Sequence, residues 1–195
     1  MFIDYLTLVM INMIAGTALL AYYLWKGLDE SDQRPYAAAF SVIGGLALVL
    51  GLHLSFNWPL PGAYNIAFGE TTTLFGAVFL GTGLALGFGW SLIPVAIYAF
   101  FAGVDAIVVG GKIMVAGLTK EPTMSAIGFI LAGLGGVFAA PFFIWFRQNK
   151  AMRMLGVLLL VATFLLWAMT FYFSLWAHLD TFAKYVPASM MVPAQ

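Results

Sequence analysis

Long apolar runs alternate along the chain with short breaks of charged, glycine and proline residues. Each run has about 20 residues, the length at which an α-helix crosses the hydrocarbon core of a bilayer. Backbone polar groups do not stay unpaired in lipid, so each run is expected to be helical. The pattern predicts an all-α fold, an integral membrane bundle of six transmembrane helices that forms one domain over residues 1–195. The predicted spans cover about residues 5–25, 36–56, 66–88, 91–118, 123–146 and 151–177.

The breaks between the spans differ in character. Two prolines and a glycine interrupt the segment 57–65, which is therefore not expected to be a regular helix. Only Gly89 and Trp90 separate the third and fourth spans, which predicts a tight antiparallel hairpin. The last span is expected to end at Ala177, leaving a polar and aromatic tail from His178 to Gln195.

The composition restricts the class of protein. Hydrophobic residues make up 63% of the chain, charged residues 8%, and the mean hydropathy is +1.00, whereas a soluble domain carries about 25% charged residues. The formal net charge is +0, and no basic cluster offers a surface for nucleic acid. Cysteine is absent, which excludes disulfides, iron–sulfur clusters and cysteine nucleophiles. The chain is therefore expected to lie in a lipid bilayer.

Basic residues in the short loops predict the orientation. The first span is expected to be retained, because Asp4 stands where a signal peptide carries basic residues and no small-residue cleavage site follows. With the amino terminus outside, more basic residues fall inside than outside. The prediction is therefore the cytoplasmic membrane, with both termini outside. The inner residues are Lys26, Arg34, Arg147, Lys150 and Arg153, and the outer ones are Lys112, Lys120 and Lys184.

Small residues recur at four-residue spacing in the third and fifth spans. Such spacing lets helix backbones approach closely. Two interpretations remain open, internal packing of the bundle or an interface with another subunit. The residues are Gly83 and Gly87, and then Gly128, Ala132 and Gly136.

Asp105 is an ionisable residue in the interior of the fourth span. A carboxylate at membrane depth costs several kcal/mol unless it is paired, protonated or hydrated, so Asp105 is a candidate functional residue. The structural alternative is a hydrogen bond to Asn12, to a threonine or to a neighbouring helix. Lys112 lies on nearly the same helix face, but two turns away, which is too far for an ordinary ion pair.

Other polar residues are predicted on the outer side. They are Asn12, His53, Glu70 and His178. One interpretation is a polar pocket shared with Asp105, in which Asp105 and Glu70 relay a proton or cation. Each residue also has a structural interpretation: the histidines suit helix ends or the headgroup region, and Glu70 suits the first turn of a helix, where an anion complements the helix dipole.

The two histidines support two further hypotheses. His53 and His178 would ligate one haem iron axially if both rings faced inward at the same depth. Together with Glu70 and Asp105 they also supply ligand types that suit a metal ion. However, each residue stands on a different helix, and no metal-ligand spacing motif is present. No catalytic triad, phosphate loop or dinucleotide-binding motif occurs, and no cofactor is predicted.

The segment Trp58-Pro59-Leu60-Pro61-Gly62-Ala63-Tyr64-Asn65-Ile66-Ala67-Phe68-Gly69-Glu70 resembles the signature of a family of small multi-pass membrane proteins from archaea and bacteria, known only as a domain of unknown function. The opening Phe2-Ile3-Asp4 and the polar Asp105 extend the resemblance over most of the chain. The resemblance implies a single six- or seven-helix membrane domain and no substrate. It also suggests the Pro-Gly turn as the mouth of a pocket, with Trp58 and Tyr64 as ligand contacts. The structural alternative is a rigid interfacial turn anchored by these two rings.

The sequence favours a non-catalytic polytopic membrane subunit that packs against other membrane protein subunits in a larger complex. A redox or energy-converting complex is the suggested host. The chain lacks soluble domains, thiols and cofactor motifs, yet it is rich in small-residue helix faces and aromatic residues. Two alternatives stay open: a small-solute or ion/proton transporter that uses Asp105 and Glu70, and a membrane haem or metal protein that uses His53 and His178.

Overall fold

The computed structural model describes residues 4–185 of the chain. α-Helices dominate this part, which confirms the predicted all-α bundle. Six of its helices are long and apolar enough to cross a membrane. The opening Phe2-Ile3 and the part of the predicted tail beyond residue 185 lie outside the described residues. The helices are α1 Tyr5–Trp25, α2 Ala37–Asn57, α3 Thr71–Phe88, α4 Ile93–Ala116, α5 Pro122–Pro141 and α6 Lys150–Phe182.

Local chemistry explains several helix ends. The Asn149 side chain caps α6, because its oxygen accepts hydrogen bonds from the backbone N–H groups of Ala151 and Met152 at 3.0 and 3.1 Å. Gly89 and Gly117 end α3 and α4 in the left-handed conformation, with φ of 70° and 61°. Glycine adopts this conformation without the steric cost of a Cβ. The short connection at Gly89 yields the tight turn that the sequence predicts.

α6 is longer than the sequence pattern predicts. It continues to Phe182 instead of ending at Ala177, so His178 lies within the helix and not in a tail. The predicted end at Ala177 is wrong, because polar residues by themselves do not interrupt an α-helix. A proline or glycine would end it, and the first one after Ala177 is Pro187.

Two π-helical turns lengthen the third and fifth spans. One, Asn65–Glu70, leads into α3, and the other, Phe142–Phe146, follows α5. With them these spans reach 24 and 25 residues, close to the predicted spans 66–88 and 123–146. Asn65 therefore belongs to a helical turn rather than to the irregular segment.

The helices form a closed ring in chain order. Each packs against the next one in the chain, and α6 packs against α1. The contacts between α4 and α5 and between α2 and α3 are the most extensive, followed by those between α1 and α6. The α1–α6 contact is called the ring seam below. The side of the bundle where α1 begins is called the N-terminal side, and the other the opposite side.

Glycines let the α4 and α5 backbones touch. A Cβ added at Gly133 would lie 2.6 Å from the carbonyl oxygen of Gly103, and one at Gly136 would lie 2.6 Å from that of Ala99. Such close approach is the usual role of small residues in membrane helix pairs. All four glycines of the four-residue spacing face a neighbouring helix of the bundle: Gly83, Gly87, Gly128 and Gly136.

Two clusters of buried side chains fill most of the ring interior. One includes Tyr23, Phe40 and Phe79, and the other includes Phe129 and Trp167. A cavity of about 160 Å³ remains, bordered by members of both clusters and lined by residues from all six helices. We call it the central cavity.

Candidate functional site

Asp105 lies at the middle of α4. Its side chain is half-buried, and its Oδ2 atom is buried without a hydrogen-bond partner among residues 4–185. Lys112 is exposed, and it is not in either of the ion pairs found in the described part of the chain. Buried polar atoms nearly always have a partner. The hydrogen bonding of Asp105 is therefore incomplete within the described residues.

Asp105 lies beside an exposed apolar face of α4. Phe101 and Val108, one turn before and one turn after it, are 66% and 65% exposed, and residues at these spacings are neighbours on a helix surface. The face continues over the whole helix, at alternating spacings of four and three residues. Its exposed members are Ile97, Phe101, Val104, Val108 and Val115, and a Cβ at Gly111 would meet no atom within 4 Å.

Asn12 is not the partner of Asp105. Its Nδ2 donates to the carbonyl oxygen of Ile43 at 2.9 Å, and the side chain is buried between α1 and α2. The structural interpretation that joins Asn12 to Asp105 is therefore wrong. Asn12 instead fastens two neighbouring helices, because a buried amide needs such a bond to offset its desolvation.

His53 joins α1 to α2 on the N-terminal side. Its Nε2 is hydrogen-bonded to the Tyr5 hydroxyl, and its Nδ1 lies 2.9 Å from Nδ2 of Asn57. The Tyr5 ring is buried and stacks on the imidazole, with ring centroids 5.0 Å apart. Both imidazole nitrogens are thus engaged within the chain.

His178 joins α6 to the start of α1 on the same side. Its Nδ1 lies 2.7 Å from Oδ2 of Asp4. The other oxygen of Asp4 accepts a hydrogen bond from the backbone N–H of Thr7 at 3.4 Å, the position of a helix cap. Asp4 therefore has two roles: it caps α1, and it bonds α1 to α6 at the ring seam.

The histidines do not converge with the carboxylates into a metal site. Within residues 4–185, no three His, Cys, Asp or Glu side chains lie close enough together to hold a metal ion. The four-ligand arrangement of His53, His178, Glu70 and Asp105 is therefore not formed. Axial haem ligation would require His53 to give up Tyr5 or Asn57.

Asn65 organises the segment between α2 and α3. Its side chain is fully buried, accepts from the backbone N–H of Leu60 at 2.9 Å, and donates to the carbonyl oxygens of Leu60 and Gly62. α2 ends at Asn57, and the next residue, Trp58, is left-handed with a φ of 48°. The helix does not continue, because Pro59 disfavours a right-handed helical conformation in the residue before it. The segment is a well-bonded turn.

The remaining candidates lie around this turn. Trp58 and Glu70 are exposed, and Tyr64 stacks on Phe68 with ring centroids 5.9 Å apart. Trp58, Tyr64 and Glu70 do not line the central cavity. The arrangement agrees with a rigid turn between the spans, whereas a ligand contact at these residues stays a prediction.

An ion pair holds the ring seam on the opposite side. Nη1 of Arg153, in the first turn of α6, lies 2.6 Å from Oδ1 of Asp29, just beyond α1. The hydrogen bond from this guanidinium lowers the pKa of the Asp29 carboxyl. The seam therefore carries one hydrogen-bonded side-chain pair at each end, His178 with Asp4 and Arg153 with Asp29.

Several residues with defined roles were not singled out from the sequence. Asp4, Tyr5 and Asn65 bond to distant or buried partners, and Trp167 borders the central cavity. A signal existed for Trp167, because the other five tryptophans fall near the predicted span ends, whereas Trp167 stands inside the sixth span. Asp4 and Tyr5 were expected on the same side as both histidines, but the sequence contains no pattern that pairs them.

Comparison with known proteins assigns a family but no activity. No curated protein and no solved structure matches the chain significantly. A family model described as "Protein of unknown function (DUF981)" matches residues 1–181. This match covers nearly the whole chain, including the turn around Asn65 and the residues at both ends of the ring seam. The chain therefore belongs to the DUF981 family of uncharacterised proteins.

Proposed function

We propose that the protein is a non-catalytic membrane subunit whose α4 helix packs against another membrane protein chain. The observation that carries the proposal is the half-buried Asp105 at the middle of α4, which borders an exposed apolar face and makes no ion pair among the described residues. A carboxylate at membrane depth is stabilised when a cation or hydrogen-bond donor reaches it. A helix of a partner subunit on this face would supply that group to the part of the Asp105 side chain that the chain itself leaves uncovered.

The exposed face of α4 has the pattern of a helix-packing surface. Its apolar residues alternate at spacings of four and three, the spacing of a left-handed helix pair. Gly111 leaves open space within this face, and small residues allow close approach between membrane helices. Because Asp105 borders this face, a helix that packs here also covers the carboxyl group.

The partner is a different chain rather than a second copy. In a two-fold dimer through α4, both Asp105 carboxyl groups would lie at the same depth. α4 has no cation at that depth, since Lys112 is two turns farther along. Two facing carboxylates repel unless they share a proton, so a donor or cation on another protein complements the site better.

The distribution of basic residues supports the orientation. Five of the eight Lys and Arg residues fall in loops or helix ends on the opposite side, and basic residues accumulate on the cytoplasmic side of membrane proteins. We therefore propose that the protein lies in the cytoplasmic membrane with the N-terminal side outside. A redox or energy-converting assembly remains our suggested host complex.

Native mass spectrometry of protein extracted from its own membranes in mild detergent tests the subunit role. We expect additional chains with the wild type and with Glu70→Gln, and loss of the partner with Asp105→Leu. A photo-reactive residue at Val108 should crosslink to the partner, whereas one at Leu158, an exposed position of α6, should not. Wild-type protein found only as a monomer or homo-oligomer would refute the proposal.

Ion or proton transport through Asp105 and Glu70 is the competing proposal. The same unpartnered carboxyl favours it, because intramembrane carboxylates serve as proton relays. Neither residue lines the central cavity, however. Transport predicts that Asp105→Asn abolishes uptake into vesicles while the chain stays folded, and unchanged uptake would rule this mechanism out.

A further inference from the structure

A surface pocket on the opposite side lies where several membrane spans end. Its volume is about 540 Å³, within the range of small-ligand pockets, about 300–1,000 Å³. Three parts of the chain meet in its wall: the connection between α1 and α2, the hairpin between α3 and α4, and the end of the fifth span. Because the ends of spans lie beside the lipid headgroups, we call it the interfacial pocket.

Two arginine side chains, those of Arg34 and Arg147, line the interfacial pocket. Neither takes part in an ion pair within residues 4–185. Arginine presents a planar fork of N–H donors, which binds two oxygens of a phosphate group at once. The pocket therefore offers two guanidinium groups to an anionic ligand.

The carboxylates near the pocket have other partners. Asp29 pairs with Arg153, and Glu30 accepts a hydrogen bond from a tyrosine hydroxyl at 2.9 Å. Asp32 lines the pocket, but its Oδ1 accepts from the backbone N–H of Arg34, at 3.1 Å, and not from a guanidinium. Two arginines and one aspartate leave the wall with an excess of positive charge, which favours a ligand with a net negative charge.

Hydrogen bonds order the backbone that carries the two arginines. Next to Arg34, the Gln33 side chain accepts from the hydroxyl of the buried Tyr23 at 2.7 Å and donates to a carbonyl oxygen of the same connection at 3.2 Å. Arg147 stands two residues before Asn149, the residue that caps α6. A ligand that binds between ordered segments has less conformational entropy to remove.

The wall also has an apolar part. Leu92 and Phe143 line both the interfacial pocket and the central cavity, so they form the inner end of the pocket. Trp90 and Ile93 line the pocket too, and both side chains are exposed. Tryptophan rings are typical of the headgroup level of a membrane protein. A ligand with a phosphate group and hydrocarbon chains would fit both parts of the wall.

We propose that the interfacial pocket binds the headgroup of an anionic phospholipid. The phosphate oxygens would accept hydrogen bonds from the guanidinium groups of Arg34 and Arg147, and the acyl chains would extend past Trp90 and Ile93. Basic pockets between membrane helices are typical sites for such headgroups. The inference does not depend on the proposed subunit role, since neither Asp105 nor the exposed face of α4 takes part.

Native mass spectrometry of the purified full-length chain in detergent, with lipid added in increasing amounts, tests the site. Phosphatidylglycerol and phosphatidylcholine with the same acyl chains both carry a phosphate group, but only the first has a net negative charge. We expect one phosphatidylglycerol to bind saturably and about fivefold more tightly than phosphatidylcholine, the effect of one excess basic residue on an anionic lipid. Glycerol 3-phosphate, which has the phosphate group without acyl chains, should not bind at the same concentrations.

Substitutions distinguish the pocket from a general attraction of lipid to basic residues. Arg34→Gln and Arg147→Gln should each weaken phosphatidylglycerol binding at least about tenfold, the effect of losing a hydrogen bond to a charged group. Arg147→Lys keeps the charge but not the fork of donors, so its affinity should be intermediate. The matched control is Lys150→Gln, since Lys150 is exposed on the same side but does not line the pocket. The affinity of this control should stay within about twofold of the wild type.

Four outcomes would overturn the proposal. The first two are no saturable binding of phosphatidylglycerol and equal affinities for the two lipids. The third is a loss of affinity in Lys150→Gln as large as that in the arginine variants. The fourth is equally tight binding of glycerol 3-phosphate, which would assign the pocket to a soluble phosphate ester. Circular dichroism establishes that each variant is folded, and the comparison of lipids on the wild type needs no substitution.

Discussion

At the scale of single residues, a few polar groups in the apolar spans connect helices, whereas several threonines bond to carbonyl oxygens of their own helix. Asn12 and His53 join α1 to α2, and Asn65 fixes the turn before α3. Each makes at least one hydrogen bond to a nearby group, as buried polar groups require. Asp105 and Trp167 differ, because each retains a buried atom without a partner in the described chain. Of these two residues, Asp105 borders an exposed face, and we propose a contact with another chain there.

Asn65→Ala is expected to destabilise the protein by about 1–3 kcal/mol, since it removes three hydrogen bonds from a buried side chain, although water can reach the freed backbone groups of Leu60 and Gly62 in this partly exposed turn. Chemical unfolding in detergent, followed by circular dichroism, measures the change. Asn57→Ala is the matched control, because Asn57 is exposed and makes one side-chain hydrogen bond, to His53. If Asn65→Ala lowers the free energy of unfolding no more than Asn57→Ala does, Asn65 does not stabilise the turn before α3.

The residue scale also shows what sequence can and cannot predict. Asp105 was identifiable because a carboxylate inside an apolar run is conspicuous without any knowledge of the fold. The partners of His53 and His178 were not identifiable. Both bonds join positions that are far apart in the chain, and only the ring places Tyr5 and Asp4 beside them.

At the scale of helices, the predicted spans agree with the structure except at a few ends. Apolar length determines where a span is, and helix breakers determine where it stops. The end of α6 was misplaced because the polar residues after Ala177 resemble a break but are compatible with a helix. The π-helical turns were not predictable, since their extra backbone residue leaves no signature in the apolar pattern.

Gly133→Ala is expected to destabilise the α4–α5 pair by about 1–3 kcal/mol, because the new methyl group would overlap backbone atoms of α4 that have no room to move. Thermal unfolding of the purified protein measures the effect. Gly45→Ala provides the control, since a Cβ at Gly45 meets no atom within 4 Å. The control should be neutral or stabilising, as alanine favours helices more than glycine does. Equal stability of the two variants would show that α4 and α5 are not in backbone contact.

At the scale of the whole molecule, the ring closes where the first helix meets the last. Asp4 and His178 pair at one end of this seam, and Asp29 and Arg153 pair at the other. Sequence alone suggested a bundle, but not a ring around a cavity, because span lengths do not determine which helices are neighbours. The order of neighbours follows from side-chain packing between distant segments, such as α1 with α6.

The Asp29–Arg153 pair predicts a pH dependence for the ring seam. The folded state lowers the pKa of Asp29 through the Arg153 hydrogen bond, so the pair stabilises the seam above the ordinary carboxyl pKa of about 4. This contribution is lost as the pH falls through the lowered pKa of the folded state. Below about pH 4, the protection factors of amides in the turn after α1, which are corrected for the intrinsic dependence of exchange on pH, should therefore decrease in the wild type.

The matched variant is Asp29→Asn, which keeps the side-chain shape but cannot ionise. Its protection factors in this turn should already be lower at pH 6, and they should change less on acidification than those of the wild type. Amide hydrogen exchange of residues in α2 and α3 gives the internal reference, because the contact between these helices has no ion pair in the described residues. Identical acid dependence in the variant and the wild type would show that the pair does not hold the seam.

The position of the seam has a consequence for biosynthesis. A chain is made from its amino terminus, so five helices leave the ribosome before the one that completes the circle. Until α6 arrives, the cavity lacks the wall that contains Leu160 and Trp167, and lipid or a lipid-dissolved guest has an open route inward. The nascent protein thus passes through a stage in which the cavity is open on the side of the missing helix, and this stage ends when α6 docks.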